Sequence, residues 1–139
     1  MKAARITTLP LALLAALALF AQLAMVPAAH AHHSAAAYDL AHVAKQQGTL
    51  TDLHFENPHV HFLLAVKGAE GAVTTWNIEA APPHWFRRAG ITRADLLKGV
   101  GTQVTIEMHP ARDGGPSGFF QQITFADGTF VRFSDVVQE

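Results

Sequence analysis

The chain of 139 residues contains no cysteine. That excludes disulfide cross-links and thiolate metal sites, so stability has to come from packing, and any soft-metal site has to do without thiolate. Charged residues make up only 15% of the chain, and the 10 Lys and Arg do not exceed the 11 Asp and Glu. Without a basic excess, a nucleic-acid partner has no electrostatic footprint to recognise. Hydrolytic chemistry lacks its parts as well. No serine, cysteine or paired-carboxylate arrangement is visible, and Glu56, Glu79 and Glu107 fall singly on expected strands or turns. There is no internal repeat.

One long apolar run is present, from Leu9 to Val26, broken only by Pro10 and Gln22. It follows the basic stretch Met1-Lys2-Ala3-Ala4-Arg5 and closes with Pro27-Ala28-Ala29-His30-Ala31. A basic segment, an apolar core and small residues at 29 and 31 are what signal peptidase reads. The run is almost long enough to span a bilayer, but a retained anchor has no need of the two small positions. Residues 1–31 are therefore expected to be a signal peptide cut after Ala31. The mature chain, residues 32–139, is then periplasmic or secreted and has no membrane segment. Loss of Lys2 and Arg5 takes its formal charge from −1 to −3.

Residues 32–44 are rich in His and Ala and carry no strand or helix cap, which reads as a flexible arm. Residues 45–139 read as one domain. Alternation marks strands over Gln46–Phe55, His59–Val66 and Val73–Glu79, the first two joined by the turn signal Asn57-Pro58. The period then changes. Pro83 to Gly90 reads as a short helix, and Thr92-Arg93-Ala94-Asp95 as a capping box with Asp in place of Glu. Strands resume over Gln103–His109, Phe119–Phe125 and Thr129–Phe133, the last two around the Asp127-Gly128 turn. The expected fold is all-β with one short helical insert, a small OB-like Greek-key barrel that closes off its own edges. Val60, Phe62, Leu64, Trp76, Ile78, Val104 and Ile106 share the inward phase and form the expected core.

Histidine is the surplus to explain: there are nine, eight of them after Ala31. Cleavage there makes His32 the first residue, whose α-amine and ring Nδ1 form a two-nitrogen chelate. One further imidazole gives a three-nitrogen set that suits Cu(II), the top of the Irving–Williams order. His33 is a neighbouring donor. A cut after Ala29 would leave His30-Ala31-His32, which also binds copper. His59 and His61 project from one strand face, and His109 lies opposite Met108, which is either a core residue or a soft ligand for Cu(I). His54 and Glu56 flank the Asn-Pro turn as supporting groups, and His42 and His84 read as surface residues.

The ordered segments His32-His33-Ser34, Asn57-Pro58-His59, Trp76-Asn77-Ile78-Glu79, Arg87-Arg88-Ala89-Gly90 and His109-Pro110-Ala111-Arg112-Asp113-Gly114 run through nearly all of the mature chain. In these the chain resembles a domain-of-unknown-function family of small exported bacterial proteins. The resemblance carries no activity. An aromatic residue follows Ser34 in the family pattern, whereas here Ala35-Ala36-Ala37 delays it to Tyr38. His61 and His84 lie outside the pattern, which ranks them below His59 and His109 as ligands.

The leading expectation is an exported metal-binding protein that buffers or transfers copper ion. Its metal ligands would be His32, His59 and His109, with His33 as an alternative. A β-barrel adaptor for an exported protein partner or a small molecule is the second reading, and a copper-dependent oxidative enzyme the third.

Overall fold

The structure, a computed structural model, describes residues 34–136. The expected leader and the candidate ligands His32 and His33 lie outside the described residues. A single 3-10 turn, Ser34–Ala37, precedes strands β1 (Ala44–Phe55), β2 (Val60–Lys67) and β3 (Val73–Glu79). Helices α1 (Pro83–Arg88) and α2 (Arg93–Leu97) follow, then β4 (Gln103–Pro110), β5 (Ser117–Thr124), β6 (Phe130–Arg132) and a last turn of helix, α3 (Phe133–Val136). Among the described residues no helix is long and apolar enough to cross a membrane.

The strands pair in the order β3-β2-β1-β4-β5-β6, and a parallel β3–β5 pairing closes the first five into a barrel. This is the OB topology, with the helical insert between β3 and β4 and β6 added outside the closure. Alternation drives it. Val60, Phe62 and Leu64 of β2, Ile78 of β3, Val104 and Ile106 of β4, and Phe120 and Ile123 of β5 are all buried. Phe62 stacks on Phe120 at 5.2 Å between ring centroids. Trp76, expected inside, is half-buried and packs against the core from its edge. Met108 is fully buried, so of its two possible roles it takes the packing one.

The insert folds on the signals that its sequence carries. Pro83 opens α1, and Gly90 turns the chain out of it at φ 77°. Thr92 and Asp95 cap α2 reciprocally: the Thr92 side chain accepts from the Asp95 N–H, and the Asp95 carboxylate accepts from the Thr92 N–H at 2.7 Å. Phe86 of α1 and Leu96 of α2 plug the barrel.

Two features depart from expectation. In β1, Leu50 and Leu53 are both buried, because a β-bulge between Leu50 and Asp52 shifts the register against β2. One extra residue reverses the inward phase beyond it. The second departure is the segment read as a flexible arm, which is docked from Ala37 to Asp39. Tyr38 pairs with Ala111 in an isolated bridge. The Arg112 N–H donates to the Ala37 carbonyl at 3.0 Å, and the Asp39 N–H to the Pro110 carbonyl at 2.9 Å. Tyr38 itself is only 8% exposed.

Candidate functional site

The barrel's outward phase gathers its polar side chains. At one end of the sheet, His54 of β1 is paired with His61 of β2, and His61 with Glu79 of β3. Glu79 is in turn paired with Phe119 of β5, and Phe119 with His109 of β4. Their strand neighbours Leu53, Phe62, Ile78, Phe120 and Met108 point inward, so these five form one transverse row on the outer face. The bulge in β1 is what brings His54 into that row, since unbroken alternation from Leu50 would turn it inward.

His59 sits just before β2, after the cis Asn57–Pro58 bond. Val60 fixes the backbone beside it by donating to the Ala81 carbonyl at 3.1 Å and accepting from the Ala80 N–H at 2.8 Å. The ring Nδ1 lies 2.6 Å from Glu79 Oε1. The other oxygen, Oε2, accepts from the Tyr38 hydroxyl at 3.0 Å. Tyr38 leans on Phe119, ring centroids 5.7 Å apart. Burial, with the Glu79 charge and hydrogen bond adding to it, pushes the Tyr38 phenol far above its usual 10, so it stays a neutral donor. The contact sets the edge of the His59 ring against a carboxylate that Tyr38 holds from the other side.

His109 is held by a hydrogen bond. Its Nδ1 lies 2.7 Å from the His42 carbonyl oxygen, which can only accept. With Nδ1 donating, the lone pair of the neutral His109 ring falls on Nε2. Each of the two rings thus has an oxygen against its Nδ1, and oxygen partners behind the ring are what orient metal-ligating imidazoles. Glu79, which holds His59, and His109 are two strand spacings apart, about 10 Å between backbones. Tyr38 links the two: its hydroxyl reaches Glu79, while its backbone pairs with Ala111 just beyond His109. Among the described residues, no three His, Asp or Glu side chains stand close enough to hold one ion.

The remaining histidines have separate settings. His61 Nδ1 lies 2.9 Å from Asn77 Oδ1, and His54 Nε2 lies 3.1 Å from Asp52 Oδ2. His42 is exposed and pairs with Asp39, whose carboxyl the His42 contact and the Ala41 N–H hold below the usual range. His84 is exposed, with its ring edge-on to Trp85. A shallow groove of about 300 Å³ is lined by His54, Glu56, Asn57, His59, His61 and Asn77, among others. Glu79 and Tyr38 were not singled out by the sequence as site residues. The available signal was the outward phase of Glu79, on the same row as His61 and His109.

A closed five-stranded barrel with the helical insert between β3 and β4 defines the class: a small OB-type barrel, here with a row of imidazoles and one carboxylate on its outer face. The chain belongs to a family of unknown function, DUF6152, whose model matches residues 21–121. No curated protein and no solved structure matches it.

Proposed function

We propose that this is an exported metal-binding protein that buffers or transfers copper. The ion would be held by the amine and ring of His32, with His33 as an alternative donor, together with His59 and His109. The observation that supports this is the setting of the two barrel imidazoles: His109 Nδ1 is hydrogen-bonded to the His42 carbonyl, which leaves Nε2 outward, and His59 Nδ1 lies 2.6 Å from the Glu79 carboxylate. The docked segment supports it too. With Tyr38 tied to Glu79 and Ala111, His32 is six residues away, a reach of at most about 20 Å along the chain. That distance covers the separation of the two histidines. An all-nitrogen, thiolate-free donor set favours Cu(II) over softer ions.

The test is Cu(II) titration of the chain starting at His32, of His59→Ala and His109→Ala, and of a version with one extra N-terminal residue. Each change is expected to weaken binding by at least about tenfold, by analogy with what the loss of supporting groups alone does. If all four bind alike, the histidines are not a site. The adaptor reading, which has exposed Leu40 and Val43 beside the docked segment in its favour, then takes its place.

A further inference from the structure

We infer a second metal site, on the outer face of β1 and β2, where His54 and His61 chelate one divalent transition ion of the zinc, nickel and copper class. It does not depend on the N-terminal residues or on the proposal above. The two residues are direct cross-strand partners on the outward face, which sets their Cβ atoms about 4.5–5.5 Å apart. Imidazoles rooted at that spacing converge on an ion about 2.0–2.1 Å from each nitrogen.

Each ring is held at one nitrogen by its own acceptor. His54 Nε2 is engaged by Asp52 and His61 Nδ1 by Asn77. This leaves His54 Nδ1 and His61 Nε2 as the free lone pairs, and oxygen acceptors behind coordinating imidazoles are the usual outer partners of a metal site. The acceptors come from different places, Asp52 beside the β1 bulge and Asn77 on β3, so the two rings are fixed independently. Both histidines line the 300 Å³ groove, as does the exposed carboxylate of Glu56. The described side chains do not stand as a ready three-ligand set. The ion is therefore held first by the two imidazoles and water, and by Glu56 once that side chain turns inward. Nitrogen and carboxylate oxygen with no sulfur select borderline divalent ions over Cu(I).

The experiment is calorimetric titration of Zn(II) into the chain with one extra N-terminal residue, which disables the amine chelate. His54→Ala, His61→Ala, His59→Ala and the surface control His84→Ala are run beside it. The extended chain and His84→Ala should bind one Zn(II), while His54→Ala and His61→Ala each lose at least about tenfold in affinity. His59→Ala should bind as the parent does. Both rings face solvent, and the thermal midpoint of each variant checks that it still folds. As a second readout on the unmutated chain, Zn(II) should shift the imidazole NMR signals of His54 and His61 and leave His84 unmoved. Equal Zn(II) affinity in the parent, His54→Ala and His61→Ala would overturn the inference, as would losses shared by His84→Ala. The two proposals separate cleanly, since this one fails on His54 and His61 and the copper reading on His59, His109 and the free amine.

Discussion

Tyr38 is the single tyrosine of the chain, so its phenol can be titrated by absorbance with no background from others. Its pKa is raised by burial first, then by the charge and hydrogen bond of Glu79. The sign follows from which state releases the proton first. The unfolded chain ionises near 10, the folded chain later, so this contribution to stability is intact below pH 10 and lost as pH rises above it. The native tyrosinate transition is expected well above pH 10 and the denatured one near 10. Glu79→Gln should bring the native transition part of the way down, because burial remains. A native midpoint at 10 would mean that Tyr38 is not docked on Glu79. Glu79→Gln should also weaken Cu(II) binding by about 10–100-fold if Glu79 orients His59. The outward face of His109 could be read in the sequence, because alternation alone says which way a strand residue faces. The Tyr38–Glu79 contact could not, since it joins positions 41 apart that only the barrel brings together.

Among the elements, β5 carries a tight steric constraint at Gly118. Gly118 is paired with Ile78 across the parallel closure and with Pro110 on the other side. A Cβ there would lie 2.7 Å from Met108 Cγ and would strike its sulfur as well. Gly118→Ala should therefore destabilise the fold by about 1–3 kcal/mol, the cost of overpacking a filled core. Urea unfolding measures it, and a change under 0.5 kcal/mol would mean that Met108 has room to move. Elements with local causes were legible: Pro83 at the start of α1, Gly90 at its end and the Thr92–Asp95 box each act within one turn of chain. The β1 bulge was not, because it is a mismatch between two strands and leaves no mark in either alone. It matters for the site, since it is the bulge that turns His54 outward opposite His61.

At the scale of the whole molecule, closure replaces disulfides. The five-strand ring leaves few open edges, and its core is filled by Phe62, Phe86 and Phe120 with aliphatic neighbours. Phe62→Ala should cost about 3–5 kcal/mol in unfolding free energy, given full burial and stacking on Phe120. A loss under 1 kcal/mol would reverse the assigned strand phase and with it the outward row of histidines. The barrel order was legible from strand count and the position of the helical insert. The docking of residues 37–39 was not, since nothing local marks Ala37 or Asp39 as partners of β4 and the turn after it. The central claim joins this barrel to a particular first residue, and native mass spectrometry of the protein recovered from copper-supplemented exporting cells tests both together. The account predicts a chain that begins at His32 and carries copper; a chain that begins beyond His33, keeps its leader or carries no copper would contradict it.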